Sequence, residues 1–203
     1  MMTTYTPKGP LRWLPALLLA FIPAMANSIE EPKFELLTQF DDIEIRRYEP
    51  TIQAVTAMPG YSSGGFRRLA GYIFGGNDKE QSIAMTAPVQ ETMSGSDGEM
   101  AFTLPSEYAL DDLPNPDSDT VELRPVPERL VAVIIFSGRA SDKKAELKWQ
   151  ELSAQLEANN IEIIGEPLLN QYNPPWTLPF LRRNEVMVEI NETSLPAVAA
   201  GND

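Results

Sequence analysis

An internal repeat is the feature that most constrains how this chain can fold. Residues 43–60 align without a gap onto residues 121–138, and both copies open with the alternating apolar pattern of a half-buried strand. Each copy then passes a proline-containing turn, enters a second apolar strand and ends at a glycine. The positions identical in both copies are Glu44/Glu122, Arg46/Arg124, Ala54/Ala132, Val55/Val133 and Gly60/Gly138.

A helix is predicted after the strand pair in both copies. In the first copy, Ser62 or Ser63 can cap the helix and residues 75–76 end it. Its apolar residues recur at helical spacing and predict one continuous stripe, formed by Phe66, Leu69, Ala70, Ile73 and Phe74. In the second copy, Ser141 is predicted to cap a helix over 142–159, whose stripe is formed by Ala145, Trp149, Leu152 and Leu156.

Further strands complete each half. The pattern predicts strands at 85–90 and 99–104 in the first half, joined by a turn at 94–98, and at 164–169 and 184–190 in the second. Each half therefore has the order ββαββ, which is typical of an α+β fold with one helix on one face of an antiparallel sheet. We expect one domain over 34–190, with pseudo-symmetric halves at 34–110 and 119–190 and a proline-containing linker between them.

The N-terminal segment is predicted to be a signal peptide over residues 1–26. Lys8 and Arg12 precede an apolar run over 13–26, which ends in the small-x-small pattern Ala24-Met25-Ala26. The run is shorter than the ~20 residues that cross a bilayer, although an uncleaved anchor is the alternative. We therefore expect an exported protein, periplasmic or secreted, and a disordered tail at 191–203.

The charge of the chain argues against nucleic-acid binding. Lysine and arginine number 16 against 29 acidic residues, which gives a net charge of −13. A nucleic-acid-binding protein needs a basic face to displace counterions from phosphates, and docking on anionic lipid needs one too.

Histidine and cysteine are absent, which removes most catalytic chemistry. The chain contains 0 His and 0 Cys, so the serine–histidine arrangements, thiol catalysis and the commonest metal ligands are excluded. The remaining candidates are the acidic pairs Asp41-Asp42, Asp111-Asp112 and Asp117/Asp119, which we interpret as turn residues. The sequence predicts no catalytic residues and no metal site, and so favours a protein that is not an enzyme.

Two arginine pairs and a proline-rich loop are the candidate functional features. The loop begins "NPPWTLPF" at 173–180, and in the repeat it occupies the place of the short turn at 94–98. Arg67-Arg68 lie on the first helix and Arg182-Arg183 follow the loop. These cations either form salt bridges with surface carboxylates or bind the carboxylates of a ligand, because the guanidinium fork fits a carboxylate bidentately.

Several motifs together resemble the SOUL/heme-binding protein family. They are "EIRRYEP" (44–50), "GGND" (75–78), "SIAMTAPV" (82–89) and "YNPPWTLPFLRRNEV" (172–186), and the likeness covers about residues 34–190. The resemblance implies a distorted antiparallel β-barrel built from two pseudo-symmetric halves, each with a flanking helix. It also implies that heme or another tetrapyrrole binds in an apolar cleft beside the first helix.

The expected ligand site combines this resemblance with the residues present. We expect Phe66, Leu69, Ala70 and Ile73 to form the wall, Tyr172 and Trp176 to form a lid, and Arg67, Arg68, Arg182 and Arg183 to face carboxylates. Met85, near the "AMTAP" strand, is the best candidate for a thioether ligand to iron, although a core methionine is the commoner role. Because the chain has no histidine, heme would be held without a strong axial ligand.

Two other interpretations of the loop stay open from sequence alone. The segment 173–180 could dock another protein, since a proline-stiffened backbone with exposed aromatics loses little entropy on binding. Alternatively, Trp176 and Phe180 could plug one end of the barrel, and the loop would then have only a structural role.

Overall fold

The computed structural model describes residues 29–59, 64–93 and 97–195. The predicted signal peptide at 1–26, the capping residues Ser62 and Ser63, and the end of the predicted tail lie outside the described residues. No helix among the described residues is long and apolar enough to cross a membrane.

Strands and helices follow one another in an α+β order. The strands are β1 (Phe34–Phe40), β2 (Ile43–Tyr48), β3 (Thr51–Pro59), β4 (Val89–Thr92), β5 (Asp97–Thr103), β6 (Glu122–Val126), β7 (Arg129–Phe136), β8 (Leu168–Gln171) and β9 (Asn184–Glu189). The helices are α1 (Gly64–Ile73) and α2 (Asp142–Ala158), and short 3-10 turns lie at Leu110–Asp112, Pro179–Leu181 and Glu192–Ser194.

Prolines set where two of these strands begin. The strands predicted at 85–90 and 164–169 instead start at Val89 and Leu168, immediately after Pro88 and Pro167. Proline has no N–H to donate to the ladder, so regular pairing starts on the residue that follows.

The strands form one 9-stranded sheet in the order β1-β2-β7-β9-β8-β4-β5-β3-β6, and every neighbouring pair is antiparallel. The predicted barrel is wrong, because the sheet is not closed: β1 and β6 remain as its two edges. Strand β1, which the repeat does not predict, pairs along the outer edge of β2 and so occupies the position where β6 would have to bond. Pro125 in β6 also removes one of the donors that closure would need.

The two predicted halves exchange strands. The element order β2-β3-α1-β4-β5 recurs as β6-β7-α2-β8-β9. Consecutive strands do not pair at the start of either half: β2 pairs with β7 and β3 pairs with β6, while β4 and β8 meet at the centre of the sheet. A pseudo-symmetric relation between the halves stays a prediction.

Each helix covers a separate hydrophobic cluster on the sheet. Under α2 lie residues of β2, β7 and β9, among which Ile43 and Ile134 are fully buried. Leu152 of α2 is fully buried against them. The stripe predicted on α2 packs there: Ala145, Leu152 and Leu156 are buried and Trp149 is partly buried. A second cluster lies under α1 on β3 and β5.

The start of the predicted tail is ordered. Residues 191–195 continue from β9, where Glu192 pairs with Arg47 at 2.6 Å and Leu195 packs against the cluster under α2. The serine hydroxyl of Ser194 also accepts a hydrogen bond from the Glu162 amide. These contacts hold the chain in place as far as the described residues extend.

Candidate functional site

Helix α1 packs one side closely on strands β3 and β5. Leu69, Tyr72 and Ile73 are buried, and a Cβ added to Gly65 would lie 2.9 Å from the sulfur of Met58. These positions fall on one face of a helix, since they recur at spacings of four, seven and eight residues. Leu69 and Ile73, which the sequence places in the ligand wall, therefore belong to the core beneath the helix.

One flank of α1 and the residue that follows its end are apolar and partly face solvent. Phe66 is 45% exposed and Phe74 is 64% exposed, while Ala70 between them is half-buried. At about 100° per residue the stripe predicted from the sequence is continuous. Leu69 and Ile73 in it are buried, whereas Phe66 and Phe74 are exposed. The solvent side of a helix normally carries polar residues. Phe66 meets Phe102 edge-on with ring centroids 5.3 Å apart, and a Cβ at Gly71 would meet nothing within 4 Å.

The two arginines of α1 have different surroundings. Arg68 donates to the hydroxyl of Thr56 at 2.8 Å and to the carbonyl of Ala57, so its guanidinium ties the helix to β3. Arg67 is exposed and has no hydrogen-bond or ion-pair partner among the described residues. Of this pair, only Arg67 is available to a ligand.

Met85 lies in the segment that runs from α1 to β4 and is 40% exposed. The next residue, Thr86, donates its hydroxyl to the carbonyl of Thr103 at the end of β5. The neighbouring Phe102 is the residue whose ring meets Phe66. This contact brings the segment that carries Met85 alongside the strand on which Phe66 rests.

The loop between β8 and β9 carries its large apolar side chains in solvent. Trp176 is 83% exposed and Phe180 is 71% exposed, and Leu178 and Leu181 are also exposed. The interpretation in which Trp176 and Phe180 plug the end of a barrel is therefore wrong.

Hydrogen bonds within the loop hold its backbone. The guanidinium of Arg182 donates to the carbonyl of Thr177 at 2.9 Å and to that of Pro175. The side-chain oxygen of Asn173 accepts from the amide of Arg183 at 2.6 Å. Arg182 is thus occupied by the backbone of its own loop.

Arg183 and Tyr172 point away from the loop tip into the body of the protein. The Arg183 guanidinium stacks 3.4 Å from the ring centroid of Tyr172 and pairs with Glu31. The hydroxyl of Tyr172 donates to Glu185 at 2.7 Å. No hydrogen bond, ion pair or ring contact joins these residues to α1 within the described part of the chain.

A buried ion pair lies behind Tyr172 and is not predicted from the sequence. Arg46 is 3% exposed and Glu185 is 1% exposed, and they meet at 3.1 Å. Arg46 also donates to the Tyr48 hydroxyl and to Glu44. Burial lowers the pKa of Arg46, but the carboxylate of Glu185 and the Tyr48 contact outweigh it and raise that pKa overall. Burial and then Glu185 raise the pKa of the Tyr172 phenol well above its ordinary value.

The acidic pairs lie where the sequence predicts them. Asp41 and Asp42 form the turn between β1 and β2, Asp111 and Asp112 lie in a 3-10 turn, and residues 117–119 lie in the bend before β6. No group of three or more potential metal-binding side chains is present among the described residues.

A cavity lies elsewhere on the molecule. It has a volume of about 530 Å³ and lies between residues 30–33, the turn at Glu49 and Pro50, and the chain that follows β5. None of the residues predicted to bind the ligand lines it.

Solved structures with the same fold are distant in sequence. The C-terminal domain of EcmrR superposes with a TM-score of 0.54 and 9% identity, covering 73% of this chain and 96% of that domain. A hydrolase from Listeria innocua superposes with a TM-score of 0.54 and 9% identity, covering 74% of this chain and 92% of the other. At this identity the likeness extends to the fold alone.

Two relatives are nearer to this chain in sequence. Heme-binding protein 2 of Mus musculus is 30% identical over 189 residues, covering 83% of this chain and 90% of the relative. The Homo sapiens protein of the same name is 31% identical over 188 residues, with the same coverage. The family model described as SOUL heme-binding protein matches residues 29–189. The chain therefore belongs to the SOUL heme-binding protein family.

Proposed function

We propose that this protein binds heme or a related tetrapyrrole non-enzymatically on the outer face of α1. The observation that carries the proposal is the apolar, solvent-facing flank of this helix, where Phe66, Ala70 and Phe74 form a row beside Arg67, which has no hydrogen-bond or ion-pair partner among the described residues. An apolar surface next to a free guanidinium suits a flat ring that bears carboxylates. Family membership supports the ligand class.

The residues present fit the ring of heme better than they fit its iron. Phe66 and Phe74 offer aromatic surface, and Arg67 can hold one propionate. The chain has no histidine or cysteine, so it supplies neither an imidazole nor a thiolate for the metal. Heme, when bound, would bring its own redox-active iron, and the residues of α1 would orient the ring and shield one face from water. We expect micromolar affinity, about −8 kcal/mol.

A hemin titration tests this proposal. We expect a saturable one-to-one change of the Soret band with the unaltered chain. Arg67→Glu should weaken binding by about tenfold or more, because it replaces a charge-assisted bond by repulsion. Phe74→Ser should weaken it as well, through loss of apolar contact.

Arg139→Glu is the matched control, since this arginine is also exposed and lies after β7, away from α1. It makes the same change of charge and should leave the affinity unaltered. An Arg67→Glu variant that binds hemin as tightly as Arg139→Glu would contradict the site on α1. A chain with no saturable response at all would contradict tetrapyrrole binding itself.

The loop at 173–180 supports a second candidate function, which is docking of a protein partner. Trp176 and Phe180 are exposed on a backbone that Arg182 holds through two carbonyls. Preordered aromatic side chains are the commonest anchors of protein interfaces. In this case no small ligand is needed.

A double variant, Trp176→Ser/Phe180→Ser, separates the two candidates. If the loop is a docking surface, cross-linking of the native chain to a protein partner should disappear in this variant, while folding and the hemin response stay unchanged. If hemin binding falls instead, the loop belongs to the ligand site, as the sequence first suggested.

We further propose that the protein is exported, to the periplasm or outside the cell. The support is the apolar run at 13–26 with its Ala24-Met25-Ala26 ending. The chain recovered outside the cytoplasm should begin at Asn27, which N-terminal sequencing determines. Recovery of an intact N-terminus would favour the uncleaved anchor.

A further inference from the structure

The cavity of about 530 Å³ has the size of a small-molecule site, and its walls are mainly apolar. Pro50 and Ile52 line one side and Leu104 and Pro105 the other. Rigid proline walls keep such a space open with little loss of entropy when a ligand enters. The cavity thus offers room for an apolar body that α1 does not contact.

A narrower pocket of about 20 Å³ adjoins the cavity and leads onto the inner face of the sheet. Both are lined by Thr51 and Thr103. The narrow pocket ends among polar side chains, which include Arg129, Tyr48 and Asn170. The space therefore changes from apolar at its wide end to polar at its inner end.

Arg129 is the distinctive residue of this inner end. It is the first residue of β7, and strand alternation places it on the same face as Val131 and Val133, which pack with Tyr48 away from α2. Its side chain is half-buried and makes no hydrogen bond and no ion pair within 4 Å among the described residues. Burial lowers its pKa, and Glu189 and Tyr48 offset this only in part. A guanidinium so placed lacks the directly bonded carboxylate or hydrogen-bond acceptor that a buried charge normally has.

Two carboxylates beside the space already have partners, and Lys33 and Glu49, which also line the cavity, are exposed to solvent. Glu30 accepts from the amide of Ser106 at 2.9 Å, and Glu31 pairs with Arg183. Neither carboxylate needs a cationic ligand.

The amides of the inner end bond one another. Gln90 donates to Asn170 at 3.0 Å and accepts from Gln53 at 3.2 Å. Arg129 is thus a half-buried positive donor at the inner end that makes no hydrogen bond or ion pair within 4 Å among the described residues.

From this arrangement we infer that the cleft is a second ligand site, which takes an amphipathic monocarboxylate of the fatty-acid class. The acyl chain lies between the proline and aliphatic walls, and the carboxylate reaches Arg129 at the inner end. Each buried methylene contributes through the hydrophobic effect, and the guanidinium fork binds the carboxylate with two charge-assisted hydrogen bonds. The site is independent of α1 and of the proposed tetrapyrrole.

Calorimetric titration with three ten-carbon probes tests the inference. Decanoate should bind one-to-one, 1-decanol should bind about tenfold more weakly because it lacks the charge, and decylammonium should show no saturable heat. Arg129→Gln should reduce decanoate binding to the level of decanol and leave decanol binding unchanged. Arg139→Gln, at an exposed arginine outside the cleft, should change none of these values.

The variants also report on folding and on the other site. Since Arg129 makes no hydrogen bond or ion pair within 4 Å among the described residues, we expect Arg129→Gln to melt at the temperature of the unaltered chain, and Arg129→Lys to bind decanoate with intermediate affinity. Hemin affinity should be the same with and without Arg129→Gln. Decanoate binding that survives Arg129→Gln, or decylammonium that binds as well as decanoate, would overturn the inference. Loss of hemin binding in Arg129→Gln but not in Arg67→Glu would move the tetrapyrrole to this cleft and contradict both assignments.

Discussion

Arg46 and Arg47 are neighbours in β2 and have opposite surroundings. Arg46 points to the inner face of the sheet and pairs with the buried Glu185. Arg47 points outward and pairs with Glu128 and Glu192 at the surface. Removal of one member of a buried pair strands the other charge away from water, whereas a surface pair can be replaced by water.

We therefore expect Arg46→Met to lower the free energy of unfolding by roughly 3–5 kcal/mol. Arg47→Met, with the same change of side chain, should lower it far less. Urea unfolding followed by far-UV circular dichroism measures both. The double variant Arg46→Met/Glu185→Met should recover part of the loss, because no buried charge is then left unpaired. Equal effects of the two single variants would show that Glu185 does not depend on Arg46.

The pKa values of Glu91 and Glu30 are shifted in opposite directions. Their contributions to folding stability should therefore depend on pH in opposite ways. Burial and then Asp142 raise the pKa of Glu91 above its ordinary 4.5, so the folded state disfavours its ionised form and loses stability as pH rises past that value. Hydrogen bonds from Ser106 lower the pKa of Glu30, so its contribution is present above 4.5 and is lost as pH falls through the folded-state pKa. Glu91→Gln should therefore raise the free energy of unfolding at pH 7, and Glu30→Gln should lower it.

Denaturant unfolding at pH 7 and at pH 3.5 checks both signs. Each difference from the unaltered chain should shrink at the lower pH, because Glu91 is then largely protonated in both states and the contribution of Glu30 is lost as pH falls through its folded-state pKa. A stabilising effect of Glu91→Gln that is equal at the two pH values would contradict its origin in ionisation.

At the scale of elements, the apolar stripe of α1 is only partly buried. Leu69 and Ile73 pack in the hydrophobic cluster on β3 and β5, whereas Phe66 and Phe74 are exposed to solvent. Two glycines lie within it: Gly65 is where the sheet approaches closely, and Gly71 is in open space. The first glycine is required by packing, whereas the second is not.

Gly71→Ala should therefore stabilise the protein by about 0.5–1 kcal/mol, because alanine loses less backbone entropy in a helix. Gly65→Ala should not stabilise, since its Cβ would lie 2.9 Å from the Met58 sulfur. Thermal melting of both variants gives the comparison. A fall in stability for Gly71→Ala would mean that the surface of α1 around Gly71 is covered and not open to solvent.

At the scale of the whole molecule, one sheet connects two hydrophobic clusters. Leu69 belongs to the cluster under α1, and Trp149 packs on the cluster under α2. The central strands β4 and β8 join the two regions through a continuous ladder. A sheet shared in this way predicts that the two clusters unfold together.

Leu69→Ala should lower the free energy of unfolding by about 2–5 kcal/mol. The loss should be the same by far-UV circular dichroism and by Trp149 fluorescence, measured in a Trp13→Phe/Trp176→Phe background. Leu152→Ala, in the other cluster, is the matched control and should behave alike. An unshifted Trp149 transition with a biphasic dichroism curve would show that the clusters unfold separately.

Much of the fold could be predicted from patterns that depend on near neighbours. The bounds of α2 and the positions of β2, β3, β6 and β7 follow from local periodicity and from turns, which act within a few residues. The family motifs, such as those at 82–89 and 172–186, were readable for the same reason. Pro88 and Pro167 delay the start of two strands because proline has no N–H to donate, which is a local effect as well.

The candidate sites could be predicted only in part. Periodicity cannot say which side of α1 meets the sheet, because Phe66 and Leu69 are both apolar. Arg46 alternates with the apolar Ile43 and Ile45 in β2, yet its own face of the strand also turns into the molecule, opposite Glu185. Arg182 and Arg183 were recognised as a pair, but their bonds to the loop and to Glu31 depend on partners far away in the chain.

By itself the sequence determined the α+β class, the repeated order of elements, the family and the absence of histidine. The tertiary structure alone decided that the sheet stays open with β1 on its edge, which arginines are free, and where the cavity lies beside Arg129. The reason is physical. Class and order arise from steric and hydrophobic preferences of neighbouring residues, whereas sheet closure, charge pairing and cavity shape arise from contacts between segments that only folding brings together.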